Sequence, residues 1–255
     1  MILNFKQIGE GPAIVILHGL FGMSDNWMSI AKKMSADYCF YLVDLRNHGR
    51  SPHSDVINYD VMSNDLRLFL ERQNLSDIRL IGHSMGGKVA MNFSKHHSHF
   101  LSKLIVVDIA PKKYNSTQFI DFINALLFIN LNLFQSRKEI ENELLKKLKV
   151  HPGIIQFLLK NLFRTENNRF KWRMNLPALK MNIDNILDGL KISNPVMTKT
   201  LFMKGSESQY ITFNDELIIK EKFPNSRIEE IKNATHWVHS SSPINFENTL
   251  RSFLA

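Results

Sequence analysis

The stretch Gly82-His83-Ser84-Met85-Gly86-Gly87 follows the apolar run Ile78–Ile81 and precedes a segment of helical character, Lys88–His96. A serine between glycines at a strand-to-helix junction can act as a nucleophile. The turn must be tight enough to hold the hydroxyl clear of the chain, and Gly82 and Gly86 leave room where a Cβ would clash. The N-terminus of the following helix presents free N–H groups, and that of Met85 can face a developing oxyanion. A second glycine-rich turn, His18-Gly19-Leu20-Phe21-Gly22, closes an early apolar run and can bring the Leu20 N–H to the same place. Removing one such donor typically lowers the rate ~100- to 1000-fold.

A serine nucleophile needs a base. Of the ten histidines, His96, His97 and His99 read as solvated residues at a helix end. Asn233-Ala234-Thr235-His236-Trp237-Val238-His239 follows the last expected strand, where the chain order nucleophile, acid, histidine requires the base. His236 is nearest the strand end and is the assigned base, with His239 the fallback.

The elements that position these groups follow from hydrophobic patterning. Ala13–Leu17, Cys39–Val43, Ile78–Ile81 and Leu104–Val107 are short apolar runs, each followed by polar turn residues, as expected of parallel strands buried on both faces. Between them lie helical patterns such as Met62, Leu66, Phe69 and Leu70. The rhythm predicts an α/β architecture, a mostly parallel sheet flanked by helices. After Pro111 it gives way to helical segments only: Phe119–Phe134, Lys138–Leu148, Ile154–Leu162 and a short pattern ending at Leu190. Strands resume over Val196–Met203 and Arg227–Ile231, with helices over Asp215–Phe223 and from Pro243. The division expected is a core of residues 1–111 and 194–255 with a helical cap, residues 112–193, inserted over one edge of the sheet. The cap's Phe119, Phe122, Leu126, Leu127 and Phe134 form a wide apolar face, part of which covers the core and part of which can line an acyl channel. Trp27, Trp172 and Trp237 read as core or pocket wall.

Composition narrows the function classes. The chain has 255 residues, 44% of them hydrophobic, enough for a sizeable core. The single Cys39 lies in an apolar run and reads as a buried small hydrophobe; it excludes an internal disulfide and any thiolate zinc motif. A reducing, cytoplasmic location is the expectation. The first residues, with Asn4, Lys6 and Gln7, do not form the apolar region of a secretory signal. The stretch Phe119–Phe134 is too short, and too broken by Asp121, Asn124, Asn130 and Asn132, to span a bilayer, so no stable membrane insertion is expected. The net charge of +8 is spread along the chain. Its densest cluster, Lys146, Lys147 and Lys149, reads as a solvated helix face, and no nucleic-acid-binding motif accompanies it. The excess fits solubility and a bias toward anionic substrates; nucleic acid is not expected as a partner.

These residues together resemble the α/β-hydrolase superfamily and, within it, YbfF-type acyl esterases. The resemblance is carried by His18-Gly19-Leu20-Phe21-Gly22, Asp44-Leu45-Arg46-Asn47-His48-Gly49 with Ser51-Pro52, Ile81–Lys88, Val107-Asp108-Ile109-Ala110-Pro111 and His236-Trp237-Val238-His239. It extends over nearly the whole chain and is weakest in the cap. The Arg46-Asn47-His48-Gly49 and Asp108-Ile109-Ala110-Pro111 stretches are the more specific to it. It implies an α/β-hydrolase fold.

The acid partner is then the open position. In Leu201-Phe202-Met203-Lys204-Gly205-Ser206-Glu207-Ser208-Gln209-Tyr210, Ser208 stands where many α/β hydrolases place an aspartate. Glu207 is one residue off, which turns its side chain elsewhere. Asp44 ends a strand but precedes the nucleophile. Asp108 ends the strand after the nucleophile unit, 24 residues beyond Ser84, and can reach the same histidine from a neighbouring strand end. The resemblance likewise places the acid at Asp108, with Ser208 as an auxiliary hydrogen-bonding group, and Glu207 departs from the uncharged residue common in the family. Asp44, Arg46, Asn47 and His48 are expected to form a hydrogen-bonded loop beside the nucleophile turn.

The expected activity is hydrolysis of short- to medium-chain acyl esters through an acyl-enzyme, with acyl-CoA thioesters as a further substrate class and no metal or organic cofactor. Carbon–carbon bond hydrolysis and peroxidase chemistry use the same residues and are the alternatives. Haloalkane dehalogenases and epoxide hydrolases need Asp where Ser84 stands. A non-catalytic binding protein on this fold would tolerate loss of the serine or the histidine, and both are present.

Overall fold

The computed structural model describes residues 1–255. Strands β1 (Phe5–Ile8), β2 (Ala13–Leu17), β3 (Cys39–Val43), β4 (Ile78–His83) and β5 (Leu101–Val107) come first, with helices α1 (Met28–Met34), α2 (Tyr59–Arg72) and α3 (Met85–His97) between them. The chain then leaves the sheet through α4 (Thr117–Phe128), α5 (Arg137–Lys147) and α6 (Pro152–Leu159), a hairpin of β6 (Leu162–Arg164) and β7 (Phe170–Trp172), and α7 (Leu176–Met181) and α8 (Ile183–Leu187). It returns as β8 (Thr200–Gly205), α9 (Phe213–Lys222), β9 (Ser226–Ile231), α10 (Val238–Ser241) and α11 (Pro243–Leu254).

Seven strands form one sheet in the order β1-β3-β2-β4-β5-β8-β9. Every neighbouring pair is parallel except β1 with β3. Alternate residues of the inner strands enter opposite cores. Val15, Leu17, Leu104 and Val106 pack with α2 and α3 side chains such as Leu66 and Phe93. Ile14, Ile16, Ile105 and Val107 pack with Trp27, Met34, Phe246 and Phe253. Burial on both faces is why these strands read as continuous apolar runs rather than alternating ones. Each fully buried side chain of this size contributes roughly 1.5–3 kcal/mol relative to exposure.

The four early strands stand where the runs place them, with β4 two residues longer at its C-terminal end and β5 three residues longer at its N-terminal end. Three differences are informative. Strand β1 carries polar Lys6 and Gln7 and pairs on one side only, as an antiparallel edge, so it lacks an apolar run. The inserted segment is not purely helical, because the β6–β7 hairpin interrupts it around a turn in which Asn168 takes a positive φ of 57°. Helix α4 ends at Phe128, and a 3-10 turn at Leu131–Leu133 replaces its expected last turn. In addition β8 begins at Thr200 rather than Val196.

The two crossings between sheet and insertion bond to each other. Tyr114 N–H donates to Leu187 O (2.8 Å) and Leu190 N–H to Pro111 O (2.9 Å). Lys88, buried on α3, donates to the carbonyls of Leu187 (3.2 Å) and Asp188 (2.5 Å), and Tyr59 Oη donates to Ile186 O. Burial pulls the Lys88 ammonium down to about 7, opposed in part by the Asp188 carboxylate. Cys39 is buried, with Gln7 Nε2 3.3 Å from its sulfur. No helix is long and apolar enough to cross a membrane.

Candidate active site

Three loops at the C-terminal ends of the parallel strands meet around Ser84. The serine follows β4 directly and precedes α3, with φ 52° and ψ −121°, a conformation that L-residues rarely hold. Its N–H donates to Val107 O (3.0 Å), which ties the turn to the end of β5. A Cβ on Gly82 would lie 2.3 Å from Gly86 O, and one on Gly86 would lie 2.4 Å from Leu17 O and 2.5 Å from His18 O. These neighbours are backbone atoms in packed elements and cannot swing aside. Gly86→Ala is therefore expected to destabilise the fold by about 3 kcal/mol or more, at the upper end of overpacking effects. A chemical-denaturation midpoint equal to that of the native protein would refute the steric account of this turn.

His236 lies in the loop between β9 and α10. Its Nδ1–H donates to Asp108 Oδ2 at 2.8 Å, and its Nε2 is 3.1 Å from Ser84 Oγ, placed to accept the hydroxyl proton. Asp108 directly follows β5 and is fully buried, with φ 50°. Gly205 N–H donates to its Oδ1 at 3.0 Å, and the Ser208 hydroxyl donates to its Oδ2. The carboxylate thus receives three hydrogen bonds, the arrangement that makes burial of a charge tolerable. Ser84, His236, Asp108 and Ser208 form one connected chain.

The other candidates fall elsewhere. The carboxylate of Glu207 is exposed and makes neither a hydrogen bond nor an ion pair with His236; its N–H donates to Ala234 O (2.9 Å). His239 stacks on Trp27 at 3.9 Å and makes no hydrogen bond to Ser84 or Asp108. Burial depresses it to about 3, so it is neutral. His96 and His99 are exposed, and His97 is half-buried at the end of α3.

The Leu20 N–H has no hydrogen-bond partner within the chain, and Met85 is the first residue of α3, where N–H groups have no intrahelical acceptor. The turn that carries Leu20 is held by two buried histidines and by a residue of the inserted segment. His48 accepts from Phe21 N–H (3.2 Å) and donates through Nδ1–H to Arg46 O (2.9 Å). His18 donates to Gly19 O (2.8 Å) and accepts from Leu45 N–H (3.0 Å). Burial lowers both imidazoles, His48 to about 3, which keeps each as one donor and one acceptor. Asn161, from the inserted segment, donates to Phe21 O at 2.7 Å. Nothing local in the sequence ties Asn161 to a turn 140 residues earlier.

Asp44, Arg46, Asn47 and His48 do form a hydrogen-bonded loop. The Asp44 carboxylate accepts from Ser24 N–H (2.7 Å), Asn4 Nδ2 (2.8 Å) and Arg50 N–H (2.9 Å). Arg46 pairs with Asp65 at 2.7 Å.

Above Ser84 lies an apolar cavity of about 190 Å³, with Leu20, Phe21, Phe119, Phe122, Leu158 and Trp237 in its wall. It shares Gln118, Phe119, Phe122 and Tyr210 with an open groove of about 980 Å³ that reaches Lys147 and Lys149. On the other side a cavity of about 550 Å³ shares His83, Phe157 and Trp237 with it. Trp237 is thus pocket wall. Trp27 is buried core that also lines the 550 Å³ cavity, and Trp172 is half-buried and donates to Leu126 O (3.0 Å).

Comparison with known proteins agrees with this architecture. A family model described as alpha/beta hydrolase fold matches residues 12–243. The chain is similar to Esterase YbfF of Escherichia coli (strain K12), 34% identical over 98% of this chain and 95% of that protein. It is also similar to the sn-1-specific diacylglycerol lipase ABHD11 of Mus musculus, 39% identical over 96% of this chain and 81% of that one. Among solved structures, one titled "Marine microorganism esterase" superposes with a TM-score of 0.95 at 42% identity, over 99% of both chains.

Proposed function

Since the chain belongs to the alpha/beta hydrolase fold family and is a hydrolase of the esterase type, we propose that it cleaves short- to medium-chain acyl esters through an acyl-enzyme on Ser84. The single observation that carries this reading is the unbroken hydrogen-bond path from Ser84 Oγ through His236 to Asp108, at the floor of an apolar cavity.

Ser84 Oγ adds to the substrate carbonyl carbon while its proton passes to His236 Nε2. The carbonyl oxygen becomes an oxyanion, which the N–H groups of Leu20 and Met85 stabilise. Collapse of the tetrahedral intermediate breaks the bond to the alcohol, which leaves with the proton from His236. Water then repeats the sequence on the acyl-enzyme, and the acid is released. Asp108 fixes the Nδ1–H tautomer and balances the imidazolium, and Ser208 fixes Asp108. No step calls for a metal or an organic cofactor.

Residues 112–193 act in this reading as a cap. Phe119 and Phe122 supply the apolar wall for a short acyl chain, and the adjoining groove takes a longer or bulkier part of the substrate. Thioesters share the carbonyl chemistry, and Lys147 and Lys149, which line the groove, suit the phosphates of CoA, the thiol that would leave from an acyl-CoA substrate. A reducing compartment, the cytoplasm, suits a chain with one free, buried cysteine.

A fluorophosphonate probe is expected to label Ser84 in the native protein and not in Ser84→Ala. A panel of p-nitrophenyl esters from acetate to palmitate, with acyl-CoAs beside it, is expected to give its highest kcat/KM at short to medium chain length. Absence of labelling would remove the nucleophile assignment. Labelling with no turnover of any ester or thioester would remove the substrate class.

A further inference from the structure

We propose that Tyr210 is a positioning residue whose ring face stabilises the charge that His236 acquires when it takes the proton from Ser84, and that Tyr114 holds this face in place. The inference rests on the acyl-enzyme reading above and adds a residue to it.

The Tyr210 and His236 rings are stacked, with centroids 3.6 Å apart and planes 13° from parallel. The Tyr114 ring also stacks on Tyr210, 5.3 Å away at 26°. The Tyr114 hydroxyl donates to Tyr210 O (2.7 Å) and accepts from Ala110 N–H (2.8 Å), so one residue ties the Tyr210 loop to the segment that carries Asp108. Tyr210 N–H donates to Ser208 Oγ (3.3 Å), the same hydroxyl that bonds Asp108. The aromatic face and the carboxylate that contact His236 therefore belong to one hydrogen-bonded unit.

A neutral imidazole gains dispersion from a stacked ring. An imidazolium gains in addition the attraction between a cation and the negative face of the ring. The second gain exists only while His236 is protonated, so it favours the transition state over the ground state, as catalysis requires. The groups facing His236 from the other elements are Asp108 after β5, His83 on β4 (4.8 Å) and His239 on α10; the exposed Lys160, just after α6, acts on His239. Burial keeps His83 and His239 neutral, well below their ordinary range. Burial also holds the Tyr210 phenol up at about 12, so the ring stays a neutral phenol throughout an assay range. Where the His236 and Tyr210 rings meet, the changing charge is that of His236; the cations nearest the stack, Lys88 (drawn down to about 7) and Lys112, lie over the Tyr114 ring at 4.8 Å and 5.2 Å.

The test replaces Tyr210 with phenylalanine, pentafluorophenylalanine and leucine, and follows kcat and kcat/KM against pH. Phenylalanine keeps the negative face and is expected to keep both the kcat and the acid limb of the native profile. Pentafluorophenylalanine keeps the shape and inverts the face, so folding is not in question. It and leucine are expected to lower kcat about tenfold, about 1.4 kcal/mol. They also move the acid limb to lower pH by about one unit, because the protonated base has lost its support. Tyr114→Phe is expected to give a smaller shift of the same sign.

A fluorinated ring that leaves kcat and the acid limb unchanged overturns the proposal. So does a phenylalanine variant as impaired as the leucine one, or a series in which KM rises and kcat stays constant, since these assign Tyr210 to substrate binding through its hydroxyl. If native protein labels at Ser84 and turns over esters while the Tyr210 series is flat, only this inference fails; if native protein does neither, the acyl-enzyme reading has failed first.

Discussion

Ser84→Ala, His236→Ala and the double variant are each expected to lower kcat by about 10⁵- to 10⁶-fold, and the double variant to be no slower than either single one. The lack of additivity is the informative part. With a Ser84 Oγ to His236 Nε2 distance of 3.1 Å, the hydroxyl and the imidazole perform one act in the proposed acyl-enzyme scheme, the transfer of a proton during attack on carbon. Removing either removes the act. A 10⁶-fold loss corresponds to about 8 kcal/mol of transition-state stabilisation, more than one neutral hydrogen bond can supply. What remains is the activity that Leu20 N–H, Met85 N–H and the apolar pocket give to a water attacking directly, roughly 10³-fold over solution in enzymes of comparable design. Steady-state kcat on p-nitrophenyl butyrate, with active-site titration to exclude trace native enzyme, measures all three. Multiplicative losses in the double variant would mean that the two groups act in separate steps, contrary to the acyl-enzyme scheme.

The residues that meet at the site differ in how far their neighbours in sequence announce them. Ser84 is visible because a tight turn imposes glycines on both sides, and the structure gives the reason in the 2.3 Å and 2.4 Å clearances at Gly82 and Gly86. Asp108 is visible as a polar residue closing an apolar run and His236 as a histidine in the loop after the last strand, and parallel strands bring such ends to one rim. Strands β2 to β5 are legible because both their faces are buried. Strand β1 is not, because an edge strand with Lys6 and Gln7 carries no apolar run. The β6–β7 hairpin is hidden for a similar reason: three-residue strands are shorter than the period needed to recognise them. Helix α4 stops early because Asn130 caps a 3-10 turn through its own side chain, a local competition that apolar periodicity does not register. The clasp of Asn161 on Phe21 O and the stack of Tyr210 on His236 depend on how distant segments pack, so no local pattern encodes either.

Asp108→Asn is expected to lower kcat by about 10⁴-fold while Glu207→Gln stays within about twofold of the native enzyme. The asymmetry follows from protons rather than from charge alone. Asp108 Oδ2 accepts the Nδ1–H of His236, which leaves Nε2 unprotonated toward Ser84 Oγ. An asparagine keeps the shape and can still accept from Gly205 N–H through its oxygen, as Asp108 Oδ1 does at 3.0 Å. Its amide nitrogen then occupies the Oδ2 position and donates to Nδ1. His236 answers by carrying its proton on Nε2, where it faces the serine and can no longer accept. Loss of the carboxylate also leaves the imidazolium without its counter-charge in a buried setting, where such a pair is worth most. Ser208→Ala separates support from tautomer control: it removes one hydrogen bond to Asp108, about 1 kcal/mol net, and is expected to slow turnover about fivefold. Glu207 touches none of these atoms, and its exposed carboxylate acts on His236 only through solvent-screened field. Comparing kcat for the three variants on one ester decides the matter. A severe loss at Glu207→Gln with a mild one at Asp108→Asn would move the acid to the end of β8 and overturn the geometry on which the mechanism depends.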